Sequence, residues 1–474
     1  MKQRKTPSRL SMPLLIALLV LFATAFIALA DWTTINTDDD KIDPNWGTPV
    51  YTDATNDSTD DKNEIHYAWY TFDGDFVYFS AEVWHASFFL SDSDKRAIGA
   101  LDCDGNGSVQ DQADRLIIYY KDEHVEIYDG TGSSSGYVSG DTTWGETDGN
   151  RAEWGGPLKM LPPSCRGSES PIDITIAIVD VSSGSAVTLS QSDTYQYSNP
   201  MDFGDSYNDF DGNSHTCSNY DTIFPCEGPR HGLTSLKLGT AIDADGGDLQ
   251  DDAAMADDND NTDDEDGVAP SPGVIWTAGG TGSLDVTVSG GSGYLTCWID
   301  WDGDETFETG ERVINDQSLT AGEHTISVNV PSGTTFSGPY MARCRLAPNS
   351  GEGNVPTGPV WGGEVEDNDW LIQPVDLNIA ISGSDVSLTW THLSQNDSEQ
   401  AYESATPYFD YASATPLGSA GTSGSATDSG EVGAPANSVY YKVVGQKSVS
   451  GTTLYSTPSR EVGLFEFALT PGTS

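Results

Sequence analysis

Basic residues are scarce in this chain of 474 residues: Lys and Arg number 21 against 73 Asp and Glu, giving a formal net charge of −52. Nucleic acids and anionic membrane surfaces repel such a polyanion, so we expect neither as a partner. The sequence also contains no Walker motif, dinucleotide fingerprint, collagen period or coiled-coil heptad, and no segment sustains a 3.6-residue apolar period. These absences argue against nucleotide-binding α/β proteins, fibrous proteins and helical bundles.

Long apolar runs are also rare, and the longest lies at the N-terminus. Basic residues at positions 2–9 precede an apolar stretch from Leu14 to Ala30, which ends in an A-x-A site. This pattern predicts a signal peptide at residues 1–30, with an uncleaved membrane anchor as the alternative. No later segment approaches the ~20 apolar residues that cross a bilayer. We therefore expect a secreted or cell-surface protein, with no membrane insertion after signal cleavage.

Cysteine is limited to six residues, and none of them forms a C-x-x-C motif. An even number in an exported chain indicates disulfide bonds. Pairing within the predicted domains favours Cys103–Cys165, Cys217–Cys226 and Cys297–Cys344. Free buried thiols are the alternative.

Support for catalysis is weak, because no two of the seven histidines form a metal pair such as H-x-x-x-H. We therefore predict a protein that is not an enzyme. An extracellular hydrolase with an unrecognised carboxylate pair stays open as an alternative, because that role depends on separation in space.

Short strands of alternating apolar and polar residues, separated by Gly, Pro and Asp, occupy most of the chain. Residues 66–72 and 75–84 flank Asp73-Gly74, a dipeptide typical of tight hairpin turns. Residues 201–267 differ, because Asp dominates and apolar residues are scarce. That composition is typical of a linker that repels itself and extends.

The patterns together predict an all-β fold of tandem β-sandwich domains, of the immunoglobulin or fibronectin III type, with an acidic loop-rich linker. The predicted divisions are a signal peptide (1–30), an N-terminal sandwich (31–200), an Asp-rich linker or lead-in (201–267), a second sandwich (268–373) and a C-terminal sandwich (374–474).

An ordered series of motifs lies between residues 202 and 373: DFGDSYNDF, PRHG, LGTAID, GYLTCWIDWDGDETFETGE, YMARCRLA and the pentapeptide GEVED at 363–367. This series resembles the GEVED domain of secreted bacterial proteins with its acidic lead-in. The resemblance implies an extracellular β-sandwich module and carries no activity. The last hundred residues, with GSDVSLTW, SATPYF, TDSGEVG and GLFEFAL, are similar to fibronectin type III-like modules of exported bacterial proteins.

The run DWDGDETFETGE contains oxygen-bearing residues at the spacing of a twelve-residue, EF-hand-like Ca²⁺ loop. Short acidic side chains at alternate positions can point inward around one cation, and a Glu at position 12 can supply two oxygens. The predicted ligands are Asp300, Asp302, Asp304, Thr306 (through its carbonyl), Glu308 and Glu311. Glu305 stands where such loops usually carry Gly. The alternative is a solvated acidic turn.

A second acidic run begins at Asp102 and has the same spacing, with Asp104 and Asn106 at positions 3 and 5. Position 12 is Ala, so Asp111 or Asp114 would have to close a Ca²⁺ shell. The alternative is a tight polar turn.

A third candidate joins the two ends of the second sandwich. Asp264 and Asp266 precede its first predicted strand, whereas Glu364, Glu366 and Asp367 precede its last. If these strands run parallel as neighbours, the two acidic ends share one pole, and a Ca²⁺ ion would relieve their repulsion. The alternative is two separately solvated clusters.

Aromatic residues on the first hairpin offer a different function. Trp69 and Trp84 could present a sugar-stacking face, although alternating aromatic residues on strands are more often core. The domain opens with DWTTI at 31–35 and DPNWGTP at 43–49, and the Asp73-Gly74 hairpin follows. This opening resembles the sugar-binding sandwiches of secreted bacterial enzymes.

The sequence therefore favours a secreted or cell-surface, Ca²⁺-stabilised structural or adhesion protein, whose partner is an extracellular protein or a polysaccharide. A carbohydrate-binding protein that uses the N-terminal sandwich is the first alternative. Adaptation to salt is a competing cause of the acidity.

Overall fold

The computed structural model describes residues 34–37, 41–52, 65–85, 95–106, 108–120, 124–141, 145–166, 168–180, 194–199, 201–206, 217–223, 226–247, 254, 264–432 and 438–464. The predicted signal peptide lies outside these residues. Among them, no helix has the length and apolar character to cross a membrane. Their helical elements are one α-helical turn and four 3-10 turns: Pro163–Arg166, Pro44–Trp46, Ser134–Gly136, Leu158–Met160 and Tyr411–Ser413. The predicted all-β fold is thus confirmed.

Alternating apolar residues in the first part of the chain build two facing antiparallel sheets, which we call the N-terminal sandwich. The strands are β1 (Tyr51–Thr52), β2 (Ile65–Phe72), β3 (Phe76–Val83), β4 (Lys95–Leu101), β5 (Arg115–Tyr119), β6 (Val125–Asp129), β7 (Tyr137–Asp141), β8 (Gly145–Asp148), β9 (Arg151–Pro157), β10 (Ser168–Asp180) and β11 (Thr194–Asn199). One sheet has the order β1-β2-β3-β9-β8 and the other β11-β10-β4-β5-β6-β7. Phe79 and Trp154 stack in the core between them, with ring centroids 5.9 Å apart.

The hairpin predicted around Asp73-Gly74 is present as β2 and β3. One Asp73 oxygen accepts hydrogen bonds from the amides of Asp75 and Phe76, both at 2.9 Å, which fixes the turn.

The Asp-rich segment, residues 201–267, will be called the lead-in. It holds β12 (Met201–Phe203), β13 (Arg230–Gly232) and β14 (Lys237–Leu238). Met201 and Phe203 are buried in the core of the N-terminal sandwich, and Leu238 is buried in the core of the sandwich that follows. The prediction of an extended linker is therefore wrong for the described part of the lead-in.

Hydrogen bonding explains why the composition of the lead-in led to the wrong prediction of an extended linker. Aspartates of the lead-in accept main-chain hydrogen bonds instead of facing water: an Asp245 oxygen accepts from the Phe203 amide at 2.7 Å, and an Asp264 oxygen accepts from the Asp243 amide at 2.9 Å. These hydrogen bonds permit acidic side chains to be buried, and the net charge of a segment does not show which carboxylates form them.

The second sandwich, here the central sandwich, is formed by seven of the next eight strands together with β14. The eight strands are β15 (Val268–Pro270), β16 (Thr281–Ser289), β17 (Gly293–Ile299), β18 (Arg312–Leu319), β19 (Gly322–Asn329), β20 (Tyr340–Ala347), β21 (Pro359–Val360) and β22 (Glu364–Trp370). One sheet has the order β18-β17-β20-β22. The other joins β14, β15 and β19 to β16, and β21 pairs in parallel with β13 of the lead-in. Cys297 and Cys344 lie opposite each other on β17 and β20 and form a disulfide.

The C-terminal sandwich contains β23 (Asn378–Ser382), β24 (Asp385–Thr389), β25 (Ser398–Ser404), β26 (Thr415–Gly421), β27 (Ser425–Asp428), β28 (Val439–Val449), β29 (Thr452–Tyr455) and β30 (Val462–Leu464). Its sheets are β23-β24-β27 and β26-β25-β28-β29, with β30 on β28. The predicted hairpin across Gly383 is present as β23 and β24, and Tyr441 is fully buried in the core.

Candidate functional site

The acidic loop at residues 300–311 is the whole connection between two paired antiparallel strands. Strand β17 ends at Ile299 and β18 begins at Arg312. The Ile299 amide donates to the Glu311 carbonyl at 3.1 Å, which closes the base of the loop. The first and last predicted ligands therefore start from adjoining strand ends.

The carboxylates of this loop converge. Oxygen atoms of Asp300, Asp302 and Glu311 lie within 4.8 Å of one another, and so do oxygen atoms of Asp302, Asp304 and Glu308. Asp302 belongs to both sets, so one side chain links an inner and an outer group of oxygens. Such clustering of hard oxygens suits Ca²⁺ better than zinc or copper.

Main-chain amides hold the inner carboxylates in place. Asp300 accepts from the Gly303 amide at 2.7 Å, and the two Glu311 oxygens accept from the amides of Trp301 at 2.7 Å and Glu308 at 3.2 Å. Burial raises the pKa of Glu311 to about 8, and the hydrogen bond with the Glu308 side chain and the Asp300 charge add to this shift. A divalent cation would offset both the burial and the repulsion.

Apolar residues of the loop anchor it to the protein. The Trp301 ring lies 5.4 Å from the Tyr340 ring in the central core, measured between centroids. Phe307 stacks on Tyr220 of the lead-in at 4.8 Å. The Asn219 side chain donates to the Phe307 carbonyl at 2.8 Å and accepts from its amide at 2.9 Å. The loop is thus bonded to the lead-in next to the Cys217–Cys226 disulfide.

Glu305 occupies the loop position where Gly is usual, and its backbone is left-handed with φ 63°. We expect Glu305→Gly to raise the free energy of unfolding by about 0.5 kcal/mol, because relief of the left-handed cost exceeds the added entropy of the unfolded chain. Urea unfolding of the Ca²⁺-free protein measures this.

Gly303→Ala is the matched control, since Gly303 has φ 74° and open space where the alanine methyl group would lie. It should destabilise the protein by about 1 kcal/mol through backbone strain alone. Effects of the same sign in both variants would contradict this account of the loop.

The second acidic loop occupies the corresponding place in the N-terminal sandwich, between paired strands β4 and β5. Oxygen atoms of Asp102, Asp104 and Asp114 lie within 4.8 Å of one another. Asp114 is fully buried and accepts from the amides of Cys103 and Asp111, both at 3.0 Å. Burial raises its pKa to about 6.

The two remaining predicted ligands of this loop, Asn106 and Asp111, are hydrogen-bonded to each other. The Asn106 amide group donates to Asp111 at 2.6 Å and to Asp104 at 2.9 Å. The Asn106 side-chain oxygen accepts from the Ser108 amide at 2.8 Å. Asp114, rather than Asp111, is therefore the residue that joins the convergent set, and Cys103 within the loop is bonded to Cys165.

The third predicted site needs correction. Glu364, Glu366 and Asp367 lie within β22, not before it. Strand β22 pairs antiparallel with β20, and the first strand β15 pairs with β16, so the expected parallel pair is absent from the described strands. Nevertheless, the Gly267 amide donates to Glu366 at 2.7 Å, which brings the two acidic ends together.

Asp367 is a partner of arginine and not a candidate ligand. Arg343 donates to both of its oxygens, at 2.7 and 2.8 Å, and both side chains are fully buried. Arg343 also donates to the carbonyls of Asn219, Tyr220 and Pro356. Sequence reasoning missed this network; Arg343 and Arg345 at alternate positions on a central strand were the available signal.

Asp266 is exposed and accepts from the amide and the hydroxyl group of Thr240. It therefore serves mainly as a cap for the lead-in.

The aromatic residues of the first hairpin do not form an open platform. Trp69 is 5% exposed, and the Arg151 guanidinium lies 3.7 Å from the centroid of its ring. Trp84 is half-buried against His66, with centroids 4.0 Å apart. Because a sugar-stacking face must be open to solvent, Trp69 is core, and the assignment of a glycan-binding role to it is wrong.

One buried acid pair was not anticipated. Glu146 and Glu153 share a hydrogen bond, and burial, together with that bond, raises the pKa of Glu153 to about 8. The Trp46 indole and the Asp43 amide donate to Glu153, and the Lys41 amide donates to Glu146 at 2.7 Å. The segment around Trp46 thus covers the pair, leaving both side chains buried.

Comparisons with known proteins give one specific match. Residues 294–368 match the family model of the GEVED domain. A search of curated proteins found no significant match. Among solved structures, the crystal structure of chicken CNTN1 FN1-FN3 domains aligns with 9% identity and a TM-score of 0.19, covering 82% of this chain and 93% of that one. The sandwich assignment follows from the strand pairing and not from this alignment.

Proposed function

Starting from a chain that carries a GEVED domain at residues 294–368 among tandem β-sandwiches, we propose that it is a secreted or cell-surface structural protein stabilised by Ca²⁺. Its role is adhesion, matrix formation or ligand presentation, and its partner is an extracellular protein or a polysaccharide. Three disulfides and no free cysteine support an oxidising compartment. The proposal includes no catalytic step.

The convergence of Asp300, Asp302 and Glu311 carries the calcium part of this proposal. Without a cation, the loop must either keep protons on buried carboxyl groups or hold like charges together. A bound Ca²⁺ ion removes this cost in the folded state only, because the unfolded chain does not hold the carboxylates together. Binding therefore raises the free energy of unfolding.

The loop contacts give calcium a mechanical consequence. Phe307 joins the loop to Tyr220 and Asn219 of the lead-in. The lead-in in turn reaches the N-terminal sandwich, where the Arg230 side chain donates to the Gly74 carbonyl at 2.7 Å and pairs with Asp75. An ion that orders the loop consequently stiffens the connection between two sandwiches.

Thermal unfolding with and without Ca²⁺ tests the proposal. At a Ca²⁺ concentration 100-fold above the dissociation constant, we expect a stabilisation of about 2.7 kcal/mol and a rise in Tm of roughly 5–10 °C. Asp302→Asn should abolish most of the rise contributed by the central loop, because Asp302 belongs to both convergent sets.

Glu323→Gln is the matched control, because it removes one exposed carboxylate from the same sandwich at a distance in sequence from the loop. It should keep the full calcium response. A wild-type Tm that is the same in Ca²⁺ and in chelator would refute the calcium proposal, as would equal responses in the Asp302→Asn and Glu323→Gln variants.

A further inference from the structure

Four buried carboxylates lie where the lead-in crosses strand β22. We call Asp202, Asp264, Glu364 and Glu366 the junction cluster; their relative exposures are 3%, 4%, 1% and 1%. Two belong to the lead-in and two to the strand, so the cluster lies at the boundary between the lead-in and the central sandwich.

Hydrogen bonds from main-chain amides hold these side chains at the junction. An Asp202 oxygen accepts from the Val365 amide at 2.8 Å, between the two glutamates in sequence. Glu364 accepts from the amide of Leu238 in β14, and Glu366 accepts from the Gly267 amide at 2.7 Å. Three separate stretches of the lead-in thus converge on one strand.

The charge of the buried Arg345 guanidinium interacts with that of Asp202, but three members of the junction cluster have no ion-pair partner among the described residues. Within the described part of the chain, Asp202, Glu364 and Glu366 form no ion pair with Lys or Arg. Arg343 is bonded to Asp367, and Arg345 donates to carbonyl groups and to His231. Burial raises the pKa of Glu364 and of Glu366, and the charges of nearby carboxylates add to both shifts: mainly Glu366 for Glu364, and Asp266 and Asp264 for Glu366.

A second observation points to a missing ligand. The Oε2 atom of Glu366 is buried and accepts no hydrogen bond, although its Oε1 atom is bonded to the Gly267 amide. The charge of Asp264 acts on Glu366, Glu364 and Asp202, so this oxygen belongs to the same electrostatic environment. Buried oxygens without a partner are rare in folded proteins and call for an occupant.

We propose that Asp202, Asp264, Glu364 and Glu366 bind one Ca²⁺ ion, which fastens the lead-in to the central sandwich. An all-oxygen donor set of high negative charge favours Ca²⁺ over zinc or copper. The sets that converge within 4.8 Å in the described residues do not include these four, so their side chains must close around the ion on binding. This site is separate from the two acidic loops and does not depend on them.

Calcium binding by a full-length variant with weakened loops isolates the junction site. Asp104→Asn, Asp302→Asn and Asp304→Asn replace exposed loop carboxylates and leave the junction untouched. Equilibrium dialysis against ⁴⁵Ca²⁺ should still find one ion per chain in this triple variant. Adding Glu366→Gln, which keeps an oxygen for the Gly267 amide, should weaken this binding at least tenfold, whereas adding Glu323→Gln should not.

Europium luminescence provides a readout that does not require a junction variant to fold. In the triple variant, bound Eu³⁺ should have similar lifetimes in H₂O and D₂O, because a buried site admits little water. No ion bound to the triple variant, unchanged binding after Glu366→Gln, or a strongly hydrated Eu³⁺ ion would each overturn the junction site. Failure of the loop proposal gives a different result, because the loops are weakened in every variant of this experiment. If the loops bind no Ca²⁺, the wild type would bind no more Ca²⁺ than the triple variant.

Discussion

Arg343→Leu is expected to lower the free energy of unfolding by about 3–5 kcal/mol, because it leaves the Asp367 carboxylate buried without its charge partner. Asp367 would retain the Ser206 amide, at 3.1 Å, as a donor. The carbonyls of Asn219, Tyr220 and Pro356 would also lose a donor each. Urea unfolding followed by tryptophan fluorescence should show a lower midpoint.

Two comparisons identify the cause of that loss. Arg460 pairs with Asp376 at the surface, with side-chain exposures of 60% and 67%, so Arg460→Leu should cost less than about 1 kcal/mol. The double variant Arg343→Leu/Asp367→Leu should recover part of the stability, since it removes the unpaired charge. A cost for Arg343→Leu no greater than that for Arg460→Leu would show that the buried pair does not hold the lead-in.

Removal of the Cys103–Cys165 disulfide is the second large effect. The two residues are 62 positions apart, and the chain-entropy relation gives a loss of about 4 kcal/mol for Cys103→Ala/Cys165→Ala. Cys103 also lies between Asp102 and Asp104, so the second acidic loop should bind Ca²⁺ more weakly in this variant. Thermal unfolding in chelator measures the loss of stability from the missing disulfide alone. The same measurement in Ca²⁺ shows how much calcium stabilisation is lost as well.

The Cys217–Cys226 disulfide provides the internal comparison. Its separation is 9 positions, and the same relation gives a smaller loss of about 2.7 kcal/mol for Cys217→Ala/Cys226→Ala. This variant should leave the calcium response of the second loop unchanged. A larger loss for the short bridge than for the long one would contradict the chain-entropy explanation.

Local signals in the sequence predicted the features that depend on local chemistry. Asp73-Gly74 specified a hairpin, because few dipeptides fit that turn, and alternating residues specified strands that bury one face. The spacing of Asp300, Asp302 and Glu311 brought their oxygens together, because both loop ends are fixed by paired strands. Pairing within domains also gave the three disulfides found in the structure.

The features that the sequence did not reveal depend on contacts between distant segments. The lead-in looked like a solvated linker because nothing local shows that Phe203 enters one core and Leu238 another. The burial of Trp69 depends on Trp46 and Arg151, which lie on other elements. Contacts of this kind between distant segments decide which residues are buried, and local composition does not show them. Aspartates that accept main-chain hydrogen bonds make such burial still harder to predict, because they are acidic residues inside the protein.

Calorimetric titration of the Ca²⁺-free protein with CaCl₂, at low ionic strength, tests most directly whether acidic hairpin connections are cation sites. We predict saturable binding of more than one ion per chain, with one fewer ion bound after Asp300→Asn and an unchanged number after Glu323→Gln. A titration without saturable heat at millimolar Ca²⁺, or with the same stoichiometry in the wild-type and Asp300→Asn proteins, would mean that the carboxylates of residues 300–311 converge without holding calcium.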